Sequence, residues 1–153
     1  MEPTTARTGD GRPKGPAPGT AELVFPMEAR VADEWAPVTV RATYRSSAPY
    51  EVALEFLTDG ESLGRWVFAR DLLTQGSVRA AGIGDVRVWT AAVPDGGPER
   101  VHLFLDNGSE HCLFVADRHH IALWCAVMST LVPPGTEPRH MDVDGLLHRL
   151  LTG

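Results

Sequence analysis

Apolar and polar residues alternate over residues 38–44 and again over residues 50–56. A period of two is typical of half-buried β-strands. The turn sequence Ser46-Ser47-Ala48-Pro49 separates the two runs, so we expect an antiparallel hairpin. A third strand is predicted over residues 65–68, after a turn at Asp59-Gly60.

The alternation stops after this third strand. Residues 69–76 are helix formers that end in Gly76, which predicts a short helix with a glycine C-cap. A strand follows at 85–91. Two more strands, at 101–106 and 109–116, flank Asn107-Gly108, a dipeptide typical of two-residue hairpin turns.

Helical patterns dominate the C-terminal part of the chain. Residues 117–131 predict a helix, which the prolines from Pro133 onward end. Residues 141–151 predict a second, amphipathic helix. The order is six strands with one short helix among them and then two helices. This order predicts an α+β fold with antiparallel sheets, a short inserted helix and two C-terminal helices.

The first 35 residues differ from the rest of the chain. Residues 1–20 are rich in Gly, Pro, Thr and charge, so they have little to bury and are expected to be disordered. Residues 21–35 are mixed, and Leu23-Val24-Phe25 offers a short strand or a docking segment. We therefore divide the chain into a disordered or weakly ordered extension, 1–35, and one domain, 36–153.

Composition and charge narrow the function classes. The chain has 153 residues, 43% of them hydrophobic, and a formal net charge of −6. A net negative charge disfavours binding to the phosphate backbone of nucleic acids. No apolar stretch approaches the roughly 20 residues of a membrane span, and the first residues do not resemble a secretion signal. The expected location is the cytoplasm, with no membrane insertion and with both cysteines reduced.

The sequence offers few candidates for catalytic or metal-binding residues. No GxSxG, P-loop, GxGxxG or HExxH motif occurs in the sequence. A two-residue turn at Asn107-Gly108 would place His102 and His111 diagonally on one sheet face, where Cys112 or His119-His120 would be needed to complete a zinc site. Cys112 points to the opposite face, so we expect surface or partner-facing histidines, with no catalytic residues, no metal and no cofactor.

Charged and aromatic residues on the predicted strands have structural interpretations. Asp85 and Arg87 share a strand face and Arg70-Asp71 are adjacent, which favours structural ion pairs over acid–base chemistry. The tryptophans in apolar segments favour core packing over base stacking: Trp66, Trp89 and Trp124. Four arginines offer a positive groove, although acidic residues are interspersed with them: Arg41, Arg65, Arg79 and Arg87.

Four short segments carry a family resemblance, and they occur in the same order and at similar spacing. They are Ala48-Pro49-Tyr50-Glu51-Val52, Trp66-Val67-Phe68-Ala69-Arg70-Asp71-Leu72-Leu73, Gly82-Ile83-Gly84-Asp85-Val86-Arg87 and Leu131-Val132-Pro133-Pro134-Gly135. From about residue 38 onward the chain resembles the SsgA-like family of actinomycete sporulation and cell-division regulators.

This resemblance implies a non-enzymatic regulator or adaptor. Family members act in septum placement, peptidoglycan assembly and spore maturation, and one branch helps to position the tubulin-like division protein FtsZ. The implied fold is similar to whirly-type single-stranded nucleic-acid-binding proteins and assembles as a trimer. The implied partners are division or peptidoglycan-synthesis proteins at the septum. The alternative function is a whirly-like module that binds single-stranded nucleic acid, although no nucleic-acid partner is expected.

The penultimate helix departs from the family pattern. Residues 121–128 are all apolar, where family members usually have charged or polar residues in the second half of this helix. A helix that is apolar all round must be covered on all sides. We therefore expect a homo-oligomer, with a trimer as the expected state, and with Trp124, Val127 and Met128 at or near a subunit or partner contact.

Overall fold

In the described part of the chain, seven antiparallel β-strands form one curled sheet in the order β4-β3-β2-β1-β7-β6-β5. A computed structural model describes residues 19–76, 82, 85–92, 96–141 and 150–152. The strands are β1 (Thr20–Val31), β2 (Glu34–Arg45), β3 (Glu51–Thr58), β4 (Glu61–Ala69), β5 (Val86–Ala91), β6 (Arg100–Asp106) and β7 (His111–Asp117). Two meanders, β1 to β4 and β5 to β7, are joined through β1, which gives the expected α+β fold with antiparallel pairing.

Strand β1 corrects the prediction for residues 21–35. It is a 12-residue strand at the centre of the sheet, and β2 begins at Glu34. Phe25, Met27 and Ala29 point into the core, whereas alternate residues are exposed. The sheet therefore begins earlier in the sequence than expected, and the described residues form seven strands where six were predicted. The predicted disorder of residues 1–18 lies outside the described residues.

The β2–β3 hairpin is confirmed. Ala42 pairs with Leu54 and Val40 with Phe56, and all four side chains are buried. The period-two pattern thus identified both the strands and their buried face.

The β6–β7 hairpin is confirmed, but its predicted register is wrong. Asp106 pairs with His111, so the connection has four residues instead of two. The side chains of Asp106 and Asn107 accept hydrogen bonds from the amides of Gly108, Ser109 and Glu110, and these bonds stabilise the longer turn. His102 consequently pairs with Val115, four residues along β7 from His111. The backbone positions of the two histidines are therefore about 13 Å apart along the strand, which is too far for them to share a metal ion.

The described residues also form α1 (Arg70–Gly76), α2 (Arg118–Leu131), the 3₁₀ helix Glu137–His140 and a helical turn at residues 150–152. Gly76 is the last residue of α1, and a Cβ added there would collide with Val88 on β5. Close packing of α1 on the sheet therefore requires this glycine. Residues 142–149 of the predicted C-terminal helix lie outside the described residues.

Helix α2 packs on one face of the sheet, against β1, β6 and β7. Ile121, Trp124 and Met128 face inward and are fully buried. Phe56 and Phe114 stack with ring centroids 4.0 Å apart, joining the two meanders across the curled sheet. The core therefore lies between this face and α2, and the predicted core role of Trp124 is confirmed.

Candidate functional site: the Arg70 cluster and the outer face of α2

Arg70 is the main buried cation of the described residues. It begins α1 and is 2% exposed. Its guanidinium donates hydrogen bonds to the hydroxyl of Tyr44 (2.8 Å), the carbonyl of Val132 (2.9 Å) and Oε2 of Glu137 (2.8 Å). A planar guanidinium can reach several acceptors at once, which an ammonium cannot. One side chain therefore holds β2, α1 and the segment after α2 together.

The expected ion pair between Arg70 and Asp71 is wrong. Adjacent residues at a helix start point in different directions, and Asp71 is exposed. Arg70 pairs instead with Glu137, from the 3₁₀ helix, whose carboxylate also accepts a hydrogen bond from the Gly135 amide at 2.8 Å.

The environment of this cluster shifts the pKa values of two groups in opposite directions. Hydrogen bonds, first from its own backbone amide and then from Arg70, lower the pKa of the Glu137 carboxyl. Burial raises the pKa of Tyr44, whose hydroxyl donates to the Pro49 carbonyl at 2.8 Å. The cluster thus favours a carboxylate and a neutral phenol, an arrangement suited to a structural ion pair.

Three of the four segments that carry the family resemblance meet at Arg70. The Arg70 amide donates to the Tyr50 carbonyl at 2.9 Å, next to the buried Pro49. Val132, which accepts from the guanidinium, precedes the exposed turn of Pro133 and Gly135. These short motifs therefore meet in one buried cluster, which consists of Arg70, Tyr44, Val132 and Glu137 and which we call the Arg70 cluster.

The other motif residues divide between core and surface. Phe68, Leu73 and Val86 are buried, and Leu72 and Trp66 pack partly against the core. Exposed motif residues include Tyr50, Asp71, Asp85 and Arg87. The guanidinium of Arg87 lies 5.7 Å from the centre of the Phe104 ring. Gly84 lies outside the described residues.

The outer face of α2 corrects the prediction of subunit-contact residues. Trp124 and Met128 are 0% exposed within the single chain, so neither reaches a partner in this structure. The helix has one buried face and is not covered all round, because Leu123 is 51% exposed. Val127 is half-buried and lines a shallow apolar cavity of about 500 Å³. The lining residues, which we call the α2 outer face, are Ala21, Leu123, Ala126, Val127, Thr130 and Leu131.

The predicted positive groove is not supported at Arg41. Its guanidinium pairs with Glu55 at 2.9 Å and lies 3.7 Å from Glu22, so neighbouring carboxylates offset its charge. Arg79 lies outside the described residues.

Both cysteines are free thiols. Burial raises the pKa of Cys125 to about 11, and burial also raises the pKa of Cys112. A nucleophilic cysteine needs a lowered pKa, so neither thiol is activated. Among the residues that the structure describes, Asp117, His119 and His120 form a cluster whose side chains could hold a metal ion, at the junction of β7 and α2.

None of the described helices is both long and apolar enough to cross a membrane.

Comparison with known proteins agrees with the resemblance seen in the sequence. Residues 38–137 match the model of the SsgA family, described as Streptomyces sporulation and cell division protein. Sporulation-specific cell division protein SsgB of Frankia casuarinae is 38% identical over 136 residues, covering 88% of this chain and 92% of that protein. SsgB of Streptomyces coelicolor is 37% identical over 115 residues, covering 75% of this chain and 82% of that protein.

Solved structures show the same fold. A structure from a study of SsgB mutations and longitudinal cell division in Streptomyces coelicolor aligns with a TM-score of 0.72 at 32% identity, covering 80% of this chain and 95% of that one. The SsgA-like sporulation-specific cell division protein of Thermobifida fusca aligns with a TM-score of 0.75 at 29% identity, covering 85% and 94%. On the family match and these relatives, the chain belongs to the SsgA family of sporulation and cell division proteins.

Proposed function

We propose that the protein is a non-enzymatic adaptor in sporulation-specific cell division, acting through protein–protein contacts in septum placement and in peptidoglycan or spore-wall assembly. Relatives covering most of the chain are named sporulation-specific cell division proteins, and this observation carries the proposal. In this role the protein is cytoplasmic and is recruited to the division septum.

The α2 outer face is the proposed contact surface. Leu123, Ala126 and Val127 present apolar side chains around a cavity of about 500 Å³, on a helix whose opposite face is anchored in the core. Exposed apolar patches with a rigid base are typical of interaction surfaces. A helix fixed in this way binds without a large ordering cost.

Self-association is part of the proposal. We expect a homo-oligomer, with a trimer as the expected state, in which copies bury apolar surface that includes Val127. Light scattering on the purified chain tests this directly. The variant Leu123→Asp/Ala126→Asp should dissociate, because a charge placed in an apolar contact loses its hydration. Val24→Asp, at a 54% exposed position on β1, is the matched control and should assemble normally.

Affinity capture from sporulating mycelium tests the adaptor role. The wild-type chain and Val24→Asp should both enrich division or peptidoglycan-synthesis proteins, whereas Leu123→Asp/Ala126→Asp should not. Equal enrichment by all three chains would contradict a contact through the α2 outer face.

A fluorescence-anisotropy titration with single-stranded DNA separates this function from nucleic-acid binding. We expect no more than weak binding that salt removes, on the order of 10⁻⁴ M or weaker. Tight binding that survives physiological salt would favour the nucleic-acid alternative.

A further inference from the structure

The junction of β7 and α2 brings together three side chains with metal-ligating atoms. Asp117 ends β7, and His119 and His120 lie in the first turn of α2. One carboxylate oxygen and one nitrogen from each imidazole all lie within 4.8 Å of one another. Two imidazoles and one carboxylate form a donor set that suits zinc and neighbouring divalent transition metals.

Two of these groups are held where they can act as ligands. The His120 ring stacks on Phe25 of β1, with centroids 5.8 Å apart, and its Nδ1 is buried with no hydrogen-bond partner among the described residues. Asp117 is the N-cap residue of α2, yet its side chain makes no capping hydrogen bond. A buried ring nitrogen without a partner is costly, and a metal ion would satisfy it if this nitrogen is the ligand atom.

The local charges leave the Asp117 carboxylate available. Arg100 pairs with Glu28 at 2.9 Å, and Arg118 pairs with Glu99 at 2.9 Å, so each nearby guanidinium has its own carboxylate. Arg100 approaches Asp117 only to 3.7 Å. The junction therefore carries one carboxylate in excess of its arginines, which opposes the repulsion of a cation by the helix N-terminus.

We propose that Asp117, His119 and His120 bind one Zn²⁺ ion per chain. Three protein ligands leave a fourth position open, as in zinc sites that also bind water. His119 borders a shallow cavity of about 400 Å³, which gives that water room. No metal site was expected from the sequence, where His119-His120 were considered only as a pair to complete a set built on His102 and His111.

Only a small adjustment is needed to form the site. Tetrahedral zinc with bonds of about 2.1 Å places its ligand atoms about 3.4 Å apart. His119 is exposed and its ring lies 4.0 Å from the His120 ring, so its side chain can move without disturbing the core. The other two ligands stay on the strand end and the packed face of the helix.

The test uses the full chain without an affinity tag, since histidine tags bind the same metals. Zn²⁺ is titrated by calorimetry, and Co²⁺ is titrated by visible absorption, which reports its coordination. The variants are His119→Ala and Asp117→Asn, and the control is His111→Ala, an exposed histidine outside the cluster. Circular dichroism without metal checks that each variant is folded.

Wild type and His111→Ala should bind one ion per chain, and Zn²⁺ should raise the melting temperature of both. Residues that merely orient metal ligands contribute about 10- to 100-fold to affinity, so the loss of a ligand should weaken binding at least about tenfold. Absence of saturable binding in wild type would overturn the proposal. Binding that is equally tight in His119→Ala would also overturn it.

Discussion

Replacing Arg70 by methionine tests how much the Arg70 cluster contributes to the stability of the fold. Methionine has a similar length but no charge, so the substitution keeps much of the packing and removes every guanidinium hydrogen bond. Three of these bonds are between 2.8 and 2.9 Å long. Arg70→Met leaves Glu137 without its cationic partner in a site where Glu137 is only 8% exposed.

The expected loss is large compared with typical stabilities. Removing one partner of a buried ion pair costs about 3–5 kcal/mol, whereas domains are stable by about 5–15 kcal/mol. For a chain of this size, each kcal/mol lowers the melting temperature by about 3 °C. Arg70→Met should therefore melt roughly 10–15 °C lower. Arg70→Lys should lose much of the same stability, because an ammonium cannot form the fork of bonds to Val132 and Glu137.

Urea unfolding, followed by tryptophan fluorescence, measures this loss, since Trp124 is fully buried. The control is Arg118→Met, which breaks a 2.9 Å pair with Glu99 in which both side chains are about half exposed. Such surface pairs contribute about 0–1 kcal/mol. Replacing both buried charges, Arg70→Met with Glu137→Leu, should recover part of the loss because no buried charge is left unpaired. If Arg70→Met lowers the free energy of unfolding by no more than Arg118→Met does, the Arg70 cluster does not stabilise the fold as proposed.

Three further predictions follow from particular residues. The pKa of Glu137 is lowered in the folded chain, so the unfolded chain binds more protons, and stability should fall as the pH drops below the unfolded value of 4.5. Acid titrations of wild type and Glu137→Gln measure this, and an identical loss of stability in acid would contradict it. Gly76→Ala should lower the free energy of unfolding by about 1–3 kcal/mol, because the added methyl group collides with Val88. Urea unfolding measures this, and a variant as stable as wild type would show that α1 does not pack so closely on β5. Met128→Asp should unfold the chain, because the side chain is 0% exposed, and a folded variant with normal circular dichroism would show that this position is not core.

Local patterns predicted the β2–β3 hairpin and α2, because alternation and helical composition act within a few residues. Strand β1 was expected only as a short strand or docking segment at Leu23-Val24-Phe25, and the reason is local. Pro26 interrupts its pattern, and proline normally argues against a central strand. The structure tolerates Pro26 because the described pairing of β1 with β7 covers only Glu28 and Ala29. Near Pro26 the strand pairs with β2 alone among the described residues, so the missing amide proton is not needed by β7.

The candidate sites depend on long-range packing, which the sequence does not display. Arg70 and Glu137 are 67 residues apart, and no local rule favours this pair over Arg70 and Asp71. The exposure of α2 was misjudged for a related reason: its apolar run of residues indicates burial, but only the tertiary fold decides which residues face the sheet. The register of β6 and β7 depended on whether the side chains of Asp106 and Asn107 would cap a longer turn.

Complementation in a sporulating strain that lacks the chromosomal copy tests whether septation depends on the α2 outer face. Sporulation septa are counted by membrane staining, and immunoblots confirm equal protein levels. Wild type and Val24→Asp should restore regular septa, whereas Leu123→Asp/Ala126→Asp should not. Normal septation with the α2 variant, or with no copy of the gene at all, would contradict this prediction.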